Sequence, residues 1–297
     1  VELRHLRYFV AVADTGNLTQ AAERCFVAQS ALSAQIARLE AEFGSELFVR
    51  SRRGMRLTTA GEALLPRARR LLTEADRVEQ DMAALRGMLA GRLRIGMIQG
   101  SPPSLEVVGL VAAFHEQHPG VRLFIRTGAS HDLAHDVVDG DLDVAVVALR
   151  DSDLPAALTA TPLIDDPLVA VIPQTAALRS GVPVSVGQLV ELGPFIHYRR
   201  GSGLRRAVTE AFDRAEVDVE ASFELDQISD MARLVALGAG VAVVPSSAVS
   251  AAPERARVVA LSDRAALHTI TAISSAGASA ATTAFLGLLR QAAASPR

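Results

Sequence analysis

The sequence predicts two modules of different class: an N-terminal all-α winged helix-turn-helix continued by a long linker helix, and a C-terminal α/β module of two Rossmann-like subdomains. Three observations predict it. Residues 1–58 read as short amphipathic helices followed by a basic hairpin, residues 59–86 keep an apolar heptad spacing, and from about residue 90 apolar strand-like runs alternate with helical stretches.

Composition frames these readings. A chain of 297 residues, 49% of them apolar, can bury two cores. Its apolar runs are broken by charge or glycine well before ~18 residues, and "VELRHLRYFV" lacks the basic-then-apolar order of an export signal. A cytoplasmic protein without membrane contact is expected. One cysteine, Cys25, excludes an internal disulfide framework and a cysteine-rich metal site. The net charge of −3 is unevenly spread: residues 1–70 carry eleven arginines against seven acids, +4, which leaves −7 for the remainder. Four of those arginines crowd into "VRSRRGMR", a surface that needs a partner signal before it counts as a site.

Leu3, Leu6, Phe9, Val10 and Val12 mark one side of a first helix that Gly16 stops. Asn17, with Gln20 three residues on, forms a capping-box-like pair for a short helix from Leu18 to about Cys25. "FVAQ" breaks the phase, and from Gln29 onward Leu32, Ile36, Leu39 and Phe43 trace the stripe of a third helix. Two short helices joined tightly, the first alanine-rich, describe a helix-turn-helix. In that motif the second helix enters the major groove of double-stranded DNA, so Gln29, Ser30, Ser33 and Ala34 face base edges: glutamine suits adenine, serine any base, alanine a thymine methyl. Arg38 flanks them. "ELFVRSRRGMRL" then gives a short strand, Leu47–Val49, a turn bearing Arg52 and Arg53, and a return from Met55 to Leu57. Together with Arg50 these arginines suit phosphate contacts, which position without reading sequence.

These residues, in particular Ala21 and Ala22, the run Gln29 to Ile36, "ELF" and "LTTAG" in that order, resemble the DNA-binding domain of LysR-type transcriptional regulators. The departures lie in the recognition helix. Ala28 replaces a usual serine cap, Ser30 a usual proline and Ala34 a usual arginine, which implies an altered contact set.

Thr59 and Glu62 form a second capping-box pattern, opening a helix to about Arg86 in which Leu64, Ala68, Leu71, Ala75, Val78, Met82 and Leu85 alternate by four and three. At 1.5 Å per residue it spans ~40 Å. Leu64, Leu71, Val78 and Leu85 are the candidate dimer contacts. The resemblance implies the same role for this segment, and with it homo-oligomers, dimers or tetramers, with RNA polymerase as a further partner.

The second module begins at "RLRIGMI". "VRLFIRTG", "DVAVVAL", "PLVAVIP", "PFIHY", "ASFEL", "VAVVP" and "LHTITAIS" supply further strands, predicted as largely parallel, with helices between them and a last one near Thr282–Ala293. The resemblance implies a periplasmic-binding-protein-like effector domain of type 2. The expected boundaries are 1–58, 59–89 and 90–297, the last divided into 90–161 plus 268–297, and 162–267.

Ligands of such sheets bind beyond the strand ends, where helix N-termini offer free amides. The candidates are Gln99, Gly100, Ser101, Thr127, Tyr198, Arg199, Ser202 and Gln227, a set of donors and charge that suits a small carboxylate effector. No catalytic residue, metal or cofactor is expected. "HDLAH" (131–135) nears the zinc motif H-E-x-x-H but has an aspartate for the glutamate and no evident third ligand. No P-loop lysine exists, since the chain contains no lysine, and Ser202 lacks a paired histidine and acid. The peroxide-sensing members of the resembled family use cysteines in the effector domain, and this one has none. The rival reading is an α/β solute-binding protein or enzyme with an unrelated N-terminal interaction module.

Overall fold

In the computed structural model, which describes residues 1–51, 54–85, 89–98, 105–179, 181–249 and 254–294, the chain divides into two units: Val1–Gly91 with Asp139–Asp141, and Arg92–Val138 with Leu142–Arg297.

The first unit runs α1 (Leu3–Thr15), α2 (Leu18–Arg24), α3 (Gln29–Phe43), β1 (Phe48–Ser51), β2 (Gly54–Leu57) and α4 (Thr59–Ala84). Gly16 ends α1 in the left-handed conformation, φ 62°, where a side chain would be strained. Asn17 caps α2 by accepting from the amides of Thr19 (2.8 Å) and Gln20 (3.3 Å). No return bond from the Gln20 side chain forms among the described residues, so this is a simple cap rather than a box. Ala21 and Ala22 are buried, and their small size lets α2 approach its neighbours closely.

The three-helix core gathers Leu6, Phe9 and Val12 of α1 with Leu32, Ile36 and Leu39 of α3. Phe43 does not complete that stripe. It is the last residue of α3, Gly44 turns the chain away, and its ring is exposed. Ala28 holds the N-cap position of α3 and gives no side-chain bond. Lack of a cap costs about 1 kcal/mol, whereas each fully buried leucine or isoleucine contributes about 1.5–3 kcal/mol. Packing, not capping, therefore fixes the helix.

β1 and β2 pair antiparallel from Phe48↔Leu57 to Ser51↔Gly54, and the Phe48 ring lies 5.3 Å from that of Phe9, rooting the hairpin in the core. Gly54 backs onto Gly16, where any Cβ would meet the Gly16 carbonyl; that same oxygen accepts from the amide of Met55 at 2.7 Å. α4 is capped by Thr58, not Thr59: the Thr58 hydroxyl accepts from the Gly61 amide (3.1 Å) and donates to the Glu46 carbonyl (2.7 Å). At 26 residues the helix is about 39 Å long and continues through Pro66.

The second unit holds β3 (Gly91–Met97), α5 (Val107–Gln117), β4 (Val121–Thr127), α6 (Ser130–Asp139), β5 (Val144–Val147), β6 (Leu158–Pro173), α7 (Val186–Val190), β7 (Phe195–Tyr198), α8 (Gly203–Arg214), β8 (Ala221–Leu225), α9 (Ile228–Ala236), β9 (Val241–Pro245), β10 (Ala256–Ala260), β11 (Leu267–Ser275) and α10 (Ala280–Ala294). The strand order is β4-β3-β5-β11-β6-β9-β7-β8, with β10 also on β6. β3 with β5, and β7 with β8 and β9, are parallel as expected. β11, β6 and β10 pair antiparallel, so the sheet is mixed rather than parallel.

β6 departs most from the sequence reading, which sees only its second half. Pro162, Pro167 and two aspartates inside "LTATPLIDDPLVAVIP" look like breakers. The strand accommodates Pro162 at a register shift opposite Ile270/Thr271 and reaches its last β11 partner at Pro167, after which Leu168 begins the pairing with β9. One strand thus serves both halves. Around it, the edge-on rings of Phe114 and Phe285 (5.5 Å) pack in the first half, and those of Phe195 and Phe212 (5.0 Å) in the second.

Restoring a cap tests the account of α3. Ala28→Ser is expected to raise the stability of the first unit by about 0.5–2 kcal/mol, read as a higher urea midpoint of its unfolding transition. An unchanged or lower midpoint would show that the helix start is already satisfied.

Candidate functional site

The first candidate surface is the outer side of α3. Gln29, Ser30, Ala34 and Arg38 are exposed, and Ser33 is half-buried beside the buried Leu32. All five sit on one rigid helix, because the inward stripe of Leu32, Ile36 and Leu39 fixes its rotation. Arg50 pairs through its backbone with Met55 on the hairpin. Its side chain, and all of Arg52 and Arg53, lie outside the described residues. A feature the sequence did not signal stands at the junction of α2 and α3: Phe26 takes a left-handed φ of 55° and is 95% exposed. The phase break at "FVAQ" marks the turn but not the orientation of the ring.

α4 divides its apolar positions between two tasks. Leu64 and Ala68 belong to the core of the helix-turn-helix, so Leu64 is not free for a dimer seam as expected. Leu71, Val78, Met82 and Leu85 are 55%, 58%, 56% and 80% exposed. Four large apolar side chains at heptad spacing in water form an incomplete surface.

The second unit contains a cleft enclosing about 30 Å³. One side is formed by Ile98 after β3 and by Gly128, Ala129 and Ser130 at the turn into α6; the other by Tyr198, Arg199, Ser202, Gly203, Leu204 and Ile228, with His268 of β11 between them. Ser202 caps α8, accepting from the Arg205 amide (3.0 Å) and donating to the Arg199 carbonyl (3.0 Å). Ser130 is buried, and its oxygen accepts from the Ala148 amide (3.1 Å), which leaves its hydroxyl proton available. Gly203 touches the chain just after β5: a Cβ there would meet the Ala148 carbonyl oxygen, so only glycine lets α8 start at this point.

Of the predicted ligand residues, Tyr198, Arg199 and Ser202 come together at the cleft. Thr127 and Gln227 do not line it. Thr127 ends β4 with its side chain exposed and the following turn faces the cleft instead; Gln227 is exposed at the N-cap of α9, and Ile228 reaches the wall. Gln99, Gly100 and Ser101 lie outside the described residues. Sequence reasoning missed His268, which it read as a strand residue, and took Thr127 rather than Ser130 from the turn before α6. His131 and His135 fall on α6, and no group of three or more His, Cys, Asp or Glu placed for a metal ion occurs among the described residues. Among those residues no helix is long and apolar enough to cross a membrane.

Burial dominates the electrostatics. It holds the His268 imidazole down at about 4, the Asp166 carboxylate acting the other way. His197, whose Nδ1 accepts from the Tyr198 amide at 3.0 Å, is held at about 3 by burial and by Arg205. Burial also raises the Tyr198 phenol and the Cys25 thiol.

A helix-turn-helix with a hairpin wing, continued by a long helix and paired with a two-lobed α/β unit holding a small cleft, defines a ligand-responsive DNA-binding protein. Residues 3–62 match the bacterial regulatory helix-turn-helix protein family of lysR type, and residues 86–294 the LysR substrate binding domain. The chain belongs to the LysR family of DNA-binding transcriptional regulators modulated by a small-molecule effector. It is 31% identical over 249 residues to the uncharacterized regulator YnfL of Escherichia coli K12, covering 83% of each chain. To the regulator BudR of Raoultella terrigena it is 33% identical over 249 residues, 83% of this chain and 85% of the other. A full-length OxyR variant from Pseudomonas aeruginosa superposes with a TM-score of 0.79 at 26% identity, covering 99% of this chain and 94% of that one.

The buried histidines set a pH dependence. Both are neutral when folded, with folded values far below the ordinary 6.5, so below that pH the unfolded chain takes up protons that the folded one does not. Stability is complete above pH 6.5 and falls as pH drops toward 4, by roughly 2 kcal/mol per histidine at pH 5. Urea titrations at pH 7.5 and 5 check this. His268→Leu, which gives up no side-chain hydrogen bond among the described residues, is expected to show a smaller loss between the two, and an equal loss would remove His268 from the account.

Proposed function

We propose that the protein reads operator DNA with the N-terminal half of α3 in the major groove, as a dimer formed through α4, and that a small organic anion in the cleft of the second unit modulates it. The single observation that carries the reading is the split of α3: Leu32, Ile36 and Leu39 are buried, while Gln29, Ser30, Ala34 and Arg38 form an exposed polar face. Gln29, Ser30, Ser33 and Ala34 reach base edges, and Arg38, with Arg50, Arg52 and Arg53 of the wing, answers phosphates. A single recognition helix covers few base pairs, so pairing two copies supplies the specificity one lacks. Leu71, Val78 and Leu85 are exposed at heptad spacing, which supports α4 as the pairing surface. Arg199 and the start of α8 at the cleft favour negative charge in the ligand.

Gln29→Ala is expected to lose about 1–3 kcal/mol of discrimination at particular base pairs while the fold survives, since the side chain makes no core contact. Competition binding against single-base operator variants measures this; unchanged preference would take Gln29 out of the groove. Leu71→Glu sets two carboxylates against each other in an apolar seam and should yield a monomer by light scattering. A wild-type mass would move the interface off this face of α4.

A further inference from the structure

Two buried polar atoms on residues that line the cleft lack a partner, and they bear on what a ligand there would offer. The first is Arg199 Nε, and the second is Nδ1 of His268, a residue 4% exposed. The first turn of α8 adds donors. Its four leading amides have no intrahelical acceptor; the Ser202 hydroxyl takes that of Arg205, and those of Gly203 and Leu204 remain at residues that line the cleft. The Arg199 side therefore favours an anion.

The His268 side requires something else. Its imidazole is neutral at physiological pH, and the Asp166 carboxylate nearby opposes a second negative group. Asp166 is not among the residues that line the cleft, and it already accepts from the Ser246 hydroxyl (2.7 Å) and from the amide (3.2 Å) and hydroxyl of Ser247. A neutral imidazole presents one donor and one acceptor, and a hydroxyl can pair with either nitrogen in either tautomer. A methyl group there would leave the buried nitrogen unpaired, which a site of this kind discriminates against strongly. The rest of the wall combines the apolar Ile98, Leu204 and Ile228 with Ser130 and Tyr198, and the space is small.

We propose that the effector is a short hydroxy monocarboxylate, its carboxylate held by Arg199 and the Gly203 and Leu204 amides and its hydroxyl paired with the His268 imidazole. This rests on the reading of the cleft as the effector site, and the test separates the two. Isothermal titration of the full-length protein uses matched pairs: lactate against propionate, and 3-hydroxybutyrate against butyrate. In wild type at least one hydroxy acid is expected to bind about tenfold or more tightly than its deoxy partner. In His268→Leu that preference should shrink to about twofold or less while the deoxy acid binds as before. His268→Asn, which keeps a hydrogen-bonding side chain, should retain part of the preference and serves if the leucine variant does not fold. Equal affinity within both pairs in wild type would overturn the hydroxyl assignment and leave the carboxylate reading standing. Binding of none of the four acids would overturn the carboxylate reading itself, and with it the proposal. A preference that survives undiminished in His268→Leu would overturn the role of His268.

Discussion

The second unit depends on the double use of β6. Its first half completes a sheet with β11, its second half completes another with β9 and β10, and neither lobe is closed without it. A strand shared in this way fixes the two lobes in register. The cleft follows from that geometry: helices α6 and α8 start from opposite lobes, and β11, the antiparallel neighbour of β6, brings His268 up between them. Backbone connectivity, rather than side-chain packing, makes the site.

The first unit is organised by a different constraint, the burial of one stripe of a helix whose N-terminus has no cap. Because Leu32, Ile36 and Leu39 are locked against α1, the opposite face is presented at a fixed angle. The hairpin is held by Phe48 against Phe9 and by Gly54 against Gly16, so the recognition helix and the wing share one rigid base. Rigidity of this kind matters for base reading, since contacts to base edges tolerate little misplacement.

The two-sided character of α3 was legible because periodicity reports burial directly. The spacing of Leu32, Ile36 and Leu39 names the inward face of α3, and what lies between them is the outward face. Phe43 and Leu64 were misassigned for a common reason: spacing says which side of a helix a residue takes, not whether another element is there to meet it. Gly44 carries the chain away from Phe43, and the helix-turn-helix core has already claimed Leu64. The cleft was less legible. Tyr198, Arg199 and Ser202 announced themselves as a turn rich in donors ahead of a helix, but His268 comes from a strand some seventy residues later, and nothing local marks it. β6 was half hidden because Pro162 and Pro167 imitate strand breaks that a bulge and a change of partner accommodate.

The meeting of Gly203 with Ala148 has a mechanical meaning. Most contacts between moving parts of a protein run through side chains, which can change rotamer and absorb a displacement before passing it on. Here a helix backbone rests directly against the chain leaving β5, without a side chain of position 203 between them. Any displacement of the start of α8 by a fraction of an ångström would therefore pass to the end of a central strand with little slack to be taken up first. The contact works as a bearing: its stiffness is set by peptide geometry, and no substitution at position 203 can soften it without breaking it.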